Sequence, residues 1–253
     1  MLAGSAVVFG GAMALILRKG SAQHQLAGRL FVVASVSMGP LVAASAWFSP
    51  GSISSLGILF VFFMIYLVVS AWATIHRSGS GIAPLEVIAP FVALGISMAG
   101  LILGYAAISR PGLAEGSPPN EAYFFFAGLA FVAMLLDINN IKVGGVRGKH
   151  RIVRHVWRMG CAMFFATASL FTGPGSTVFP DGIRGNPVLS IPETLVVIVS
   201  IFWIYRLLFL KRKSLPEHAS AVRPLQNSIT ARKKIDGYQG GATGVDDLPA
   251  LKL

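Results

Sequence analysis

Long apolar runs alternate along this chain with short polar interruptions. Seven apolar segments, approximately 2–17, 28–48, 55–75, 82–108, 122–142, 152–173 and 188–210, are bounded by charge or by Gly, Pro and Ser clusters. Most approach the 20 or so residues with which a helix crosses a hydrocarbon core of about 30 Å. The pattern predicts an all-α fold, a polytopic transmembrane helical bundle of about seven spans. The first segment is short for a span, so it either begins upstream of residue 1 or crosses a locally thinned bilayer. The fourth is long enough to tilt, and Pro84 and Pro90 are expected to kink its beginning. Beyond Leu210 the periodicity stops. Residues 1–210 therefore read as the bundle, and 211–253, polar and scattered with Pro, Gly and Ser, as a basic, largely disordered cytoplasmic tail.

Composition agrees. Of the 253 residues 54% are hydrophobic and only 12% charged, and that charged share is about half of what soluble domains carry. A soluble domain of this size has no way to hide so much apolar surface. An ordinary cytosolic enzyme, a secreted disulfide scaffold and a disordered chain are thereby excluded. The single cysteine, Cys161, allows neither an intramolecular disulfide nor a cysteine-based metal site. No Rossmann fingerprint, P-loop, nucleophile elbow or zinc-protease motif occurs.

The net charge of +11 matters through its distribution. Counted on alternate sides of the segments, all of the 21 basic residues except Arg110 and Arg184 fall on one side. The positive-inside rule then puts the N-terminus outside and the C-terminus in the cytoplasm of a multi-pass protein of the cell (plasma or inner) membrane. A removable signal peptide is not expected, because Arg18 and Lys19 follow the first apolar run instead of preceding it. The partners implied are the bilayer, anionic lipid headgroups near Lys211-Arg212-Lys213 at the cytoplasmic face, and a membrane protein partner. Nucleic acid is not implied, since no recognition motif accompanies the charge.

Ionisable groups inside spans are costly, so their positions are the best guide to chemistry. The sixth segment opens HRIVRHVWRMGC, and Arg151, Arg154, His155 and Arg158 share one helical face there. Arg158 lies too deep to reach back to the interface and should face the interior. With the preceding segment antiparallel about Gly144 and Gly145, Asp137 falls level with Arg154, and Asn140 with Arg151. An Asp137–Arg154 or Asp137–Arg158 pair is expected, giving a buried polar cluster of Asp137, Asn140, Arg151, Arg154 and Arg158. Glu86 and Arg29 are further candidates. His24, His76 and His155 gather on the cytoplasmic side, where imidazoles from different helices suit haem iron or another metal. Gly100 and Gly104 form a small-residue helix-packing motif, and Phe124, Phe125 and Phe126 fit an outer aromatic belt.

Two stretches carry a family resemblance. Arg18-Lys19-Gly20-Ser21-Ala22-Gln23-His24 continues to Gly28-Arg29-Leu30-Phe31-Val32, and HRIVRHVWRM opens the sixth segment. Together they resemble the predicted prokaryotic multi-pass membrane proteins catalogued as domain of unknown function 2306. The resemblance covers residues 1 to about 210 and implies a multi-pass bundle with no particular reaction. It draws attention to His24, Gly28, Arg29, Arg154, His155 and Arg158. Gly28 would admit close approach of another helix, and Arg29 would hold a phosphate or carboxylate.

The reading that leads is a histidine-based haem or metal redox site at the cytoplasmic end. Beside it stand a proton-coupled or anion transporter using a buried Asp–Arg–His cluster, and a non-catalytic assembly or sensing component of the membrane. Whether the chain is an enzyme is left open by these residues.

Overall fold

The computed structural model describes residues 2–49, 51, 53–77, 81–109 and 119–209. They form seven α-helices: α1 (Leu2–Ile16), α2 (Ala22–Phe48), α3 (Ser55–His76), α4 (Pro84–Ser109), α5 (Asn120–Lys142), α6 (Gly148–Phe171) and α7 (Ile191–Phe209). Short 3-10 turns at Pro174–Val178 and Pro187–Ser190 lie between α6 and α7, and there is no strand among the described residues. The loop position Arg110 and the tail 211–253, with its Lys211-Arg212-Lys213 run, lie outside the described residues.

Five helices are long and apolar enough to cross a membrane: α2, α3, α4, α5, and α7 with the turn before it. The other two are different in kind. Helix α1 is apolar but only 15 residues long, and α6 is interrupted by Lys149, Arg151, Arg154 and Arg158.

Helix starts depart from the apolar pattern for local reasons. Helix α2 begins at Ala22, well before the apolar run at 28, because the Ser21 side chain accepts the His24 N–H at 3.1 Å and caps it. His24 therefore belongs to the first turn of α2 and does not precede it. Pro84 does not kink α4; it opens the helix, where its missing N–H costs nothing. Pro90 lies inside α4 and Pro40 inside α2.

Helix α3 is the hub, packing against α2, α4, α5 and α6. Its Phe63, Met64, Leu67, Val68 and Ala71 are buried. Phe63 meets Phe126 of α5 and Phe165 of α6 edge-on at 5.9 and 6.0 Å, and Phe60 closes the same aromatic layer. Phe126 is thus a core residue and not part of an outer belt; of its neighbours, Phe124 and Phe125 are exposed. Helices α4 and α5 touch where Gly100 faces Ala127 and Gly104 faces the Phe124 ring, and Ser97 Oγ donates to the Ala127 carbonyl at 3.0 Å. The exterior stays apolar, with Phe91, Ile102, Val132, Ile198 and Phe202 all more than half exposed, a surface suited to lipid.

A Cβ at Gly100 would sit 3.0 Å from that of Ala127, whereas one at Gly128 would meet nothing within 4 Å. Gly100→Val is expected to destabilise the protein by about 1–3 kcal/mol through overpacking. Thermal unfolding in mild detergent, with Gly128→Val as the matched control, measures the difference.

Candidate functional site

At one end of the bundle α1, α3, α5 and α7 finish and α2, α4 and α6 begin, and the polar chemistry collects there. It starts on α3. Tyr66, Ser70, Thr74 and Arg77 are spaced four, four and three residues apart, so they share one face of an otherwise apolar helix. The stripe rises about 16 Å from Arg77 to Tyr66 at 1.5 Å per residue. All four side chains are buried.

Helix α6 lays its arginines along that stripe. Arg154 Nη2 donates to Asp137 Oδ1 at 2.7 Å, and its Nε to Thr74 Oγ1 at 3.0 Å. Arg158 donates to the same Asp137 Oδ1 and to Ser70 Oγ. Tyr66 supplies a third donor, its hydroxyl lying 2.6 Å from Asp137 Oδ2. One carboxylate thus holds two guanidiniums and a phenol. Both expected pairs form at once. The Arg158 guanidinium also lies between the Tyr66 and Trp157 rings, 5.3 and 4.9 Å from their centres. Trp157 therefore works as a ledge for Arg158.

A second carboxylate closes the network nearer the helix ends. Glu86 accepts from Arg77 Nη1 at 2.9 Å and from the Ala83 N–H at 3.1 Å, capping α4 from its first turn. Thr74 Oγ1 and Asn140 Nδ2 each lie 3.4 Å from its other oxygen. Arg77 reaches on to the Val146 carbonyl at 2.6 Å, crossing Gly145, whose φ of +89° and lack of a Cβ make room for the guanidinium. The α5–α6 loop is pinned in this way to the α3–α4 loop.

Two sequence expectations are corrected. Asn140 does not face Arg151; it donates toward Glu86 and accepts the Val146 N–H at 2.8 Å. Arg151 is not in the buried cluster but half-buried, donating to the carbonyls of Thr74, Ile75 and Arg77 at 2.6–2.7 Å. It caps the C-terminus of α3, where orphan carbonyls and the helix dipole both favour a cation. Helices α5 and α6 each pack on α3, and Asp137 still meets Arg154, but the turn at Gly144 and Gly145 brings Val146 back onto Asn140 while Glu86 arrives from α4.

Arg77, Tyr66, Ser70 and Thr74 were missed as site residues, although their four-four-three spacing in an apolar segment was a readable signal. Arg29 lies exposed on α2. A Cβ at Gly28 would meet nothing within 4 Å, so no helix approaches closely there.

The histidines lie beside the network, outside it. His24 Nδ1 is 3.0 Å from the Ala14 carbonyl of α1, and His155 Nδ1 is 3.3 Å from the Ala71 carbonyl of α3. A carbonyl only accepts, so each ring donates from Nδ1 and keeps the Nε2 lone pair open. Both rings are half-buried, and His24, His76 and Lys19 all lie within electrostatic range of His155. His76 differs: it is exposed, bonds Trp72 of its own helix at 3.1 Å and stacks on that indole at 4.6 Å. Lys19 caps α1 through the Ala14 and Leu15 carbonyls at 2.7 Å, and burial lowers its pKa from the ordinary lysine value. Among the described residues no group of three or more His, Cys, Asp or Glu side chains is arranged to hold a metal ion. The three histidines do not make a metal cage.

These features define an all-helical protein with five helices fit to cross a membrane and an arginine–carboxylate lock at one end. No family model matches the chain, and no curated protein or solved structure is similar to it.

Asp137→Asn would leave two buried guanidiniums without their shared counter-charge. It is expected to cost about 3–5 kcal/mol, seen as a large drop in thermal stability and folded yield. Arg158→Met added to it should recover part of the loss, a coupling that a double-variant cycle measures. Additive losses would show that the pair is not a unit.

Proposed function

We propose that this is a multi-pass protein of the cell membrane, of the type resembling the domain of unknown function 2306 proteins, with a two-histidine cofactor site at its cytoplasmic end. All seven helices span in this reading, α6 hiding its basic face inside the bundle and α1 crossing where the bilayer thins. The N-terminus lies outside and the tail in the cytoplasm, where anionic headgroups meet the basic side chains.

The cofactor in this reading is haem, which His24 of α2 and His155 of α6 would hold. The observation that carries this is the tethering of both imidazoles. Each is fixed through Nδ1 to a carbonyl of a neighbouring helix, the arrangement that orients a metal-ligating histidine and leaves Nε2 as the ligand atom. Two such imidazole donors would suit a haem iron, which needs no cage of protein ligands. When bound, the group would supply one-electron chemistry. The chain's own part is to hold the two rings, which it does from α1 and α3, with Arg154 and Arg158 locking α6 in place behind His155. His76 is left out, since its ring is exposed and engaged with Trp72.

The test is an absorption spectrum, oxidised and then reduced, of protein purified in mild detergent, with iron analysis of the same sample. A stoichiometric haem band that shifts on reduction is expected. His24→Ala and His155→Ala should each abolish it, and His76→Ala should leave it intact. A colourless, iron-free and well-folded sample overturns the reading.

Orientation has its own check. In a Cys161→Ser background, a membrane-impermeant maleimide applied to intact cells should label Arg184→Cys, and should label Lys149→Cys only after permeabilisation. The reverse pattern would invert the topology.

A further inference from the structure

A tight turn leads from α1 into α2. The Ser21 N–H donates to the Arg18 carbonyl at 3.1 Å, and Gly20, third in the turn, has a φ of +82°, which makes it type II. Lys19 is thereby folded back over the end of α1, where its ammonium donates to the Ala14 and Leu15 carbonyls, both at 2.7 Å. The Trp203 ring of α7 stands 5.5 Å from the same nitrogen. His24, set in the first turn of α2 by the Ser21 cap, brings its Nδ1 to 3.0 Å from the Ala14 carbonyl. One oxygen thus accepts from a cation and from an imidazole at once. We infer that Lys19 is a positioning residue for His24, sharing the acceptor that orients the ring and setting how strongly that acceptor draws on the Nδ1 proton.

The effect follows from the two lone pairs of a carbonyl. Ala14 lies in the last turn of α1, where carbonyls lack an intrahelical N–H and take side-chain donors instead. An ammonium on one lone pair pulls electron density from the oxygen and leaves it a weaker acceptor for the second donor. A weaker bond at Nδ1 leaves Nε2 less basic, because that bond is what raises the donor strength of an imidazole. His155 is the contrast. Its acceptor, the Ala71 carbonyl at 3.3 Å, lies inside α3, where the helix itself offers a neutral N–H. The two rings therefore hang on unlike acceptors, and only that of His24 is shared with a cation. With two of its three N–H groups on carbonyls and an indole beside it, Lys19 is committed to holding this corner.

The redox consequence rests on the two-histidine reading above; the shared carbonyl does not. The first readout is the Nδ1 proton resonance of His24, in the full chain carrying isotope-labelled histidine in mild detergent, with His24→Ala assigning the signal. Lys19→Met frees the carbonyl for His24, so the resonance should move downfield, while that of His155 moves less. Lys19→Arg, which keeps the charge, should restore it, and Arg18→Met, which removes an exposed neighbouring charge, should leave it in place. If Lys19→Met does not fold, Lys19→Gln takes its place. The second readout is the ratio of oxidised to reduced haem at a fixed potential. It should rise severalfold in Lys19→Met, since a stronger imidazole donor and one cation fewer both favour the oxidised iron, and should return in Lys19→Arg. An unmoved His24 resonance, an equal shift in Arg18→Met, or an unmoved ratio in haem-loaded protein overturns the inference and leaves Lys19 a cap of α1. Protein that takes up no haem overturns the cofactor reading alone, because the proton resonance is read without it.

Discussion

Asp137 has no exposed surface, and two guanidiniums converge on one of its oxygens while a phenol takes the other. Removing these ions from water is expensive, and a single ion pair in such a place commonly fails to recover the cost. The network answers with numbers of partners. Each guanidinium has a hydroxyl as well as the carboxylate, from Thr74 or Ser70, and Arg158 adds two aromatic faces. Counted with Arg77 and Glu86, three buried cations face two buried anions, and the rings and hydroxyls absorb the surplus charge. Without Asp137, α6 would present two arginines to the hydroxyls of α3 with no counter-charge, and the buried centre of the bundle would carry uncompensated ions.

The basic residues do a second job at the same end. Lys19 takes the last carbonyls of α1, Arg151 those of α3, and Lys149 the Leu208 carbonyl of α7 at 3.2 Å. Three helix C-termini are thus closed by cations from the next stretch of chain or from α6. Unmet carbonyls and the negative end of the dipole both draw positive charge. The basic residues gathered at this end therefore also serve as helix caps, which ties their placement to packing. The Arg77 clamp over Gly145 extends the same logic to a loop.

Much of this was legible before any coordinates. Apolar runs located all seven helices, and the i, i+3, i+4, i+7 spacing in α6 pointed its arginines at α5. What escaped was whatever depends on a turn or on an unlabelled partner. The α2 start was hidden because Ser21 caps an apolar-poor first turn. Asn140 was misplaced because the turn at Gly144 and Gly145 brings Val146 back onto its side chain and Glu86 reaches it from α4. The hydroxyl stripe on α3 was overlooked since Ser and Thr are unremarkable in apolar helices, where they bond their own carbonyls, as Ser70 and Thr74 do at 2.6 and 2.8 Å. Only the arginines opposite give them meaning.

The depth of the polar stripe bears on which chemistry the bundle favours. A proton or anion carrier needs a route that continues and a carboxylate with capacity to spare. The stripe stops at Tyr66, and beyond it Phe60, Phe63, Phe126 and Phe165 stack edge to face across three helices. Asp137 is already engaged by two guanidiniums and a phenol. Both facts weigh toward the cluster as a lock and against it as a relay. The rim is different in character. His24 and His155 are anchored but chemically unspent, each with a ring nitrogen still open beside a rigid arginine frame. A frame that consumes its charges in holding helices, and anchors two imidazoles at its edge, supports the proposal made for the histidines and not one for Asp137.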